Sequence, residues 1–155
     1  MVATDTLLSP HFSLSELIVS QAAARSGLKN APTVSALANL GRLANQLELV
    51  RSALRGLPML VSSGYRSPTV NSIVGGAANS AHVKGLAADF TCPGFGTPKA
   101  VCQQIIDAGI AFDQLIYEGT WVHFGLAEAN VPPRREVLTA VFAARQPIRY
   151  LKGLV

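Results

Sequence analysis

The apolar positions of this chain fall into helix-like and strand-like periods in a definite order. Leu37, Leu40, Leu43, Leu47, Val50 and Leu54 recur at steps of three and four. That spacing predicts an amphipathic helix from about 34 to 54, opened by Pro32-Thr33 and ended by Gly56 and Pro58. Ahead of it, Ser13-Leu14-Ser15-Glu16 has the form of a capping box with Phe12 placed to staple it, which predicts a helix from Leu14 to about Arg25, stopped by Ser26-Gly27. Short apolar runs at 59–62 and 87–92 read as strands, the second with apolar flanks that predict burial. The segment from Val70 to Ala78 is ambiguous, with a helical turn in its first half. Thr97 caps and Pro98 starts a helix to about Ala108. Runs at 114–118 and 121–126 flank Gly119-Thr120 and predict a hairpin with a two-residue loop. The tail from Glu128 carries Pro132-Pro133 and then a short helix from Glu136 to Ala144. The sum is an α+β domain: N-terminal helices packed on a small, mainly antiparallel sheet. A single domain over 1–155 is expected, with its core at about 12–126 and a tail at 127–155.

Composition narrows the class. Of the 155 residues, 49% are hydrophobic and 14% charged, enough apolar material for one core and too much for disorder. No run approaches the roughly 20 apolar residues needed to cross a bilayer. Met1-Val2-Ala3-Thr4-Asp5-Thr6 lacks a basic region before an apolar one, so no secretory signal is expected, and work outside a cytoplasm needs another exit. The net charge of +4 favours an anionic partner such as a nucleic acid, a phospholipid or an acidic wall polymer. The aromatics do not interleave with basic residues as base stacking requires, so nucleic acid is not expected. Cys92 and Cys102 lack zinc-knuckle spacing and read as small buried hydrophobes, and their pairing is left open.

The chemistry concentrates in two places. His82 lies in a loop, and Asp89 follows seven residues later on the next strand, with Gly85 to turn the chain between them. His123 comes from the second strand of the hairpin. Two imidazoles and one carboxylate would leave a fourth position open on a tetrahedral zinc ion, the pattern of a catalytic site. A carboxylate in an apolar strand is costly unless it coordinates or pairs, and Arg66 is the alternative partner of Asp89. If Gly119-Thr120 is the hairpin loop, Glu118 faces Trp121 and Ile116 faces His123. Glu118 and His123 then share a face as diagonal neighbours, about 7–8 Å apart at the backbone. Glu118 is placed to act as a general base without being a ligand, the alternative being a solvated hairpin residue. His11 stands without neighbours of this kind and is expected to have no role.

These residues resemble the M15 zinc peptidases, which include D-alanyl-D-alanine carboxypeptidases and dipeptidases and L-alanyl-D-glutamate endopeptidases. Ser80-x-His82-x-x-Gly85-x-Ala87-x-Asp89 is similar to the family's SxHxxGxAxD signature, Ser63-Gly64-Tyr65-Arg66-Ser67 to its SGYRS segment, and Trp121-Val122-His123 to its final W-x-H. Phe12-Ser13-Leu14-Ser15-Glu16 resembles the opening of the short phage and prophage branch. The resemblance implies the Hedgehog/DD-peptidase fold and one zinc ion held by His82, Asp89 and His123. It implies that Arg66 steadies the substrate or the developing oxyanion and that Ser80 contacts substrate. Arg66 as a turn residue paired to an acid, and Ser80 as a loop cap, are the structural alternatives. Several family members carry an acid three residues before the last His. Here that position is Thr120, so Glu118 takes the role, with Asp113 at the strand start a poorer candidate.

The activity expected is zinc-dependent hydrolysis of an amide in peptidoglycan stem peptides, by a monomer acting on the cell wall after release or export, as a phage endolysin among other settings. A non-catalytic zinc-containing wall-binding or phage structural module is the alternative, and a zinc-dependent amidase with another substrate is a third reading. Neither the bond cleaved nor the choice between lysis and wall remodelling follows from the sequence.

Overall fold

A computed structural model describes residues 6–155. Residues 1–5, on which most of the reading of the leader rests, lie outside the described residues. In chain order the elements are β1 (Leu7–Ser9), β2 (Phe12–Ser13), α1 (Leu14–Ile18), α2 (Gln21–Arg25), α3 (Val34–Ala53), β3 (Leu60–Ser63), α4 (Pro68–Ile73), a 3-10 turn (Ala81–Lys84), β4 (Ala87–Thr91), α5 (Pro98–Asp107), β5 (Gln114–Tyr117), β6 (Val122–Gly125), β7 (Glu136–Val141) and β8 (Arg149–Lys152). Strands β1 and β2 form a small antiparallel pair, and the other six form one sheet in the order β3-β4-β6-β5-β7-β8. The fold is α+β. Two compact units can be distinguished, one made of the residues up to Glu48 with Val61–Ala88, the other of Leu49–Leu60 with Asp89–Val155.

In the first unit the expected capping box is present. The Ser13 hydroxyl accepts from the Glu16 amide, and the Glu16 carboxylate accepts from the Ser13 amide. The single helix expected over 14–25 is instead two short ones. The carbonyls of Leu17 and Ile18, which would accept the next turn of α1, are taken by the Tyr65 amide at 2.7 Å and the Asn30 side chain at 2.7 Å. Val19 turns extended, and the Ser20 hydroxyl caps a new helix by accepting from the Ala23 amide. Tertiary hydrogen bonds outcompete local helical ones here. His11, expected to be idle, has a partner: its Nδ1 lies 2.7 Å from Glu48 Oε1, and Glu48 Oε2 accepts from the His11 amide and the Ser9 hydroxyl. These bonds outweigh burial and hold the Glu48 carboxyl below its usual range.

Gly85 closes the 3-10 turn in the left-handed region, with φ +74°. A Cβ there would sit 2.5 Å from the carbonyl oxygen of Ala36. Both the backbone conformation and the close approach of α3 therefore demand glycine. Gly85→Ala is expected to cost at least about 1–3 kcal/mol from backbone strain alone, read as a lowered urea midpoint in equilibrium unfolding.

The second unit is built on the hairpin and α5. Thr97 caps α5 and Pro98 opens it as expected. Its buried residues Val101, Cys102 and Ile105 serve the helix face that contacts β5 and β6, where Leu115, Val122 and Phe124 are fully buried. Both cysteines are buried thiols, and burial pushes Cys102 up to about 12. The hairpin register is the expected one, with Ile116 opposite His123 and Tyr117 opposite Val122. The Glu118 amide donates to the Trp121 carbonyl at 3.0 Å.

The tail departs from expectation. Residues 136–141 form a strand, not the start of a helix, and it runs parallel to β5, with Gln114 beside Glu136 and Tyr117 beside Thr139. The β5–β7 pair makes the sheet mixed, while the β5–β6 and β7–β8 pairs are antiparallel as expected. Val137, Thr139 and Val141 place branched side chains at alternate positions, the period and composition of a strand rather than a helix, and β5 supplies the partner. Strand β8 then adds antiparallel to β7.

The return segment is tied down by Asp113. Its carboxylate accepts from the Arg134 amide and takes two guanidinium bonds at 3.1 and 2.8 Å. Hydrogen bonding from Arg134 holds the Asp113 carboxyl below its usual range, against the opposing effect of burial. A depressed carboxyl stabilises the fold above its unfolded pKa of about 3.9 and loses that contribution as pH falls through the folded value. Arg134 is 59% exposed, so screening keeps the contribution at about 1 kcal/mol or less. Asp113→Asn is expected to flatten the acid limb of thermal stability below about pH 4, the unfolded carboxyl value, measured by circular dichroism melts. No helix among the described residues is long and apolar enough to cross a membrane.

Candidate metal centre

His82 is the second residue of the 3-10 turn and is 2% exposed. Ser80 caps that turn, its hydroxyl accepting from the His82 amide at 3.2 Å, which is the structural alternative to the substrate contact that the resemblance implies. The imidazole is fixed by a contact that sequence reasoning did not anticipate. Its Nδ1 lies 2.7 Å from the carbonyl oxygen of Gly64. A carbonyl only accepts, so Nδ1 carries the proton and Nε2 presents its lone pair, the tautomer a metal ligand needs. Gly64 owes its position to another approach: a Cβ on it would lie 2.3 Å from the Leu17 carbonyl oxygen. The SGYRS segment thus fixes the imidazole through a main-chain oxygen that no residue pattern advertises. Arg66, half-buried, is anchored to the same turn by its amide, which donates to the His82 carbonyl at 3.0 Å.

Asp89 sits at the centre of β4, with 14% of its side chain exposed, and His123 lies on β6 with 11% exposed. His123 Nδ1 is 3.0 Å from Asp89 Oδ1. That separation is a hydrogen bond when Nδ1 carries a proton. It also approaches the ligand-to-ligand edge of a tetrahedral zinc, about 3.3 Å for arms of 2.0–2.1 Å. His82, Asp89 and His123 each offer a ligand atom, and these atoms all lie within 4.8 Å of one another. Two imidazole nitrogens, one carboxylate oxygen and a fixed His82 tautomer fit a zinc ion, and three protein ligands are what catalytic zinc sites use.

Glu118 is half-buried just beyond β5. Ile116 opposes His123, and Glu118 lies two residues on, so Glu118 and His123 share a sheet face. Burial pushes the Glu118 carboxyl up, the neighbouring His123 pulls it down, and the negative charge of Asp89 raises it again. A half-buried carboxylate on the same sheet face as a metal ligand, and not itself one of the cluster, is placed as a proton acceptor would be. Asp113 is committed to Arg134 and offers no competing base.

A chain with this α+β arrangement and this two-histidine, one-aspartate cluster belongs to the peptidase M15 family, whose profile matches residues 10–125. Its relatives include the zinc D-Ala-D-Ala carboxypeptidase of Streptomyces albus G, 50% identical over 44 residues. That stretch is 28% of this chain and 17% of the Streptomyces protein, so the chain matches only a small part of its relative's length. The cofactor of this family of sites is zinc, and the cluster here can hold one ion.

Proposed function

We propose that this protein hydrolyses an amide bond in the stem peptides of peptidoglycan, using one zinc ion held by His82, Asp89 and His123. The observation that carries the reading is the gathering of those three ligand atoms within 4.8 Å of one another, with the Glu118 carboxyl in electrostatic range of two of them. Zinc, when bound in such a site, supplies Lewis acidity toward a carbonyl and makes water more acidic. Glu118 takes the proton from the attacking water and passes it to the leaving amine. Arg66 places positive charge for the oxygen that becomes anionic as the amide carbon turns tetrahedral. Ser80 is assigned to the shape of the His82 turn, with its hydroxyl open to a substrate contact as a secondary role.

A carboxypeptidase removing D-alanine is supported by the name of the Streptomyces relative. The Phe12–Glu16 opening, which resembles the phage branch, supports an endolysin that meets the wall after release from the cell. The net charge of +4 favours approach to an anionic wall. Mass spectrometry of purified sacculi digested with the zinc-loaded protein tests the reading and names the bond. Release of new amino groups is the expected result. Sedimentation with the wall and no release would instead make the protein a wall-binding module.

A further inference from the structure

The sheet face that carries His123 and Glu118 continues onto strands beyond the segment shared with the family. Leu138 lies beside Ile116 in the β5–β7 register, and Tyr117 lies beside Thr139, so Ala140 follows at the level of Glu118. Across the β7–β8 pair, Ala140 faces Tyr150. Paired residues project to the same side. Glu118, Ala140 and Tyr150 therefore form a lateral row on the face that also bears His123. Neighbouring strands are about 4.8 Å apart, so two steps separate Tyr150 from Glu118 by about 10 Å at the backbone. A tyrosine side chain spans more than half of that, and the small Ala140 between them leaves room for the ring to lean across.

Two further observations agree. Ala140 is only 7% exposed although it lies near the sheet edge and Tyr150 is 48% exposed, as expected if the ring covers it. The Tyr150 phenol is held protonated by burial and by the negative charges of Glu118 and Asp89, which puts it in electrostatic range of both carboxylates. The same face carries Trp121, stacked at a tilt on Phe142 of the β7 side with ring centroids 6.3 Å apart. The buried indole N–H of Trp121 has no hydrogen-bond partner among the described residues. Two neutral donors and an aromatic wall thus border the carboxylate assigned as base.

We propose that Tyr150 is a substrate-contacting residue of this site, its phenol donating a hydrogen bond to an oxygen of the peptide held at the metal. The β7–β8 pair, which lies outside residues 10–125, supplies it. The proposal rests on the peptidase reading above. It assigns a role in substrate handling to a tail that the family profile does not cover.

The test is Tyr150→Phe in the full chain, which keeps the ring and removes only the donor. Zinc content and thermal midpoint are expected to stay at wild-type values while kcat/KM on muropeptides falls about tenfold, the loss of one hydrogen bond of ordinary strength. A fall confined to kcat places the bond on the developing oxyanion, and a rise in KM places it on a ground-state oxygen of the substrate. Acetohydroxamate, which binds zinc through oxygen whatever the natural peptide is, provides a second measurement. Its dissociation constant is expected to rise about fivefold to tenfold in the variant. If the wild type cleaves no wall peptide, the peptidase reading fails, and the hydroxamate comparison still reads the donor. Unchanged kcat/KM and unchanged hydroxamate affinity would overturn the proposal, as would an effect explained by lost zinc or a lowered thermal midpoint.

Discussion

Glu118→Gln protein is expected to bind one zinc ion per chain with wild-type affinity and to lose about 10²–10⁴-fold in kcat/KM, the range contributed by a positioned general base. The substitution keeps the shape of the side chain and its place after β5, where the Glu118 amide is bonded to the Trp121 carbonyl. It removes only the proton acceptor. None of the three clustered ligand atoms comes from Glu118, so metal content by elemental analysis and kcat/KM should separate cleanly. A fully active variant would move the base role to another group. Asp113 could not inherit it, since its carboxylate already accepts from the Arg134 amide and guanidinium.

His82→Ala is expected to act one stage earlier. Removing one imidazole leaves a two-ligand site, and both zinc and hydrolysis should be lost together. The fold should survive in part, because the Ser80 cap, the Gly85 turn and the Arg66 amide bond to the 82 carbonyl are main-chain or neighbouring-residue features. Unchanged zinc content would refute the ligand assignment. Chelation of the wild type by a phenanthroline should mimic the loss of activity and be reversed by added zinc, whereas the alanine variant should not respond.

Much of this was legible in the sequence because it is local. The Ser13 capping box, the Thr97-Pro98 start of α5 and the stripe from Leu40 to Leu54 are set by residues within a few positions of one another, and each is present. The hairpin loop at Gly119-Thr120 fixes the Ile116–His123 register, and that register places Glu118 on the ligand face. The three clustered residues were legible for the same reason, as a short ordered motif plus one strand residue. What escaped was decided at a distance. The break between α1 and α2 depends on Tyr65 and Asn30, many residues away, claiming two carbonyls. The fixing of the His82 tautomer depends on a carbonyl at position 64. The tail is a strand where a helix is expected: Val137, Thr139 and Val141 alternate with the period of a strand, and the parallel partner β5 that pairs with them lies about twenty residues back in the chain.

That partnership has a further consequence. Strand β5 is flanked by β6 on one side and β7 on the other, and β8 stands at the end of the row. A shortened chain ending near residue 126 would keep the metal-binding cluster but strip β7 from β5, baring a line of amide and carbonyl groups along an apolar strand. Such a naked margin invites pairing with another molecule. The final segment therefore moves the free margin of the sheet from the apolar β5 to the exposed β8, where Arg149 and Lys152 set charge against such pairing.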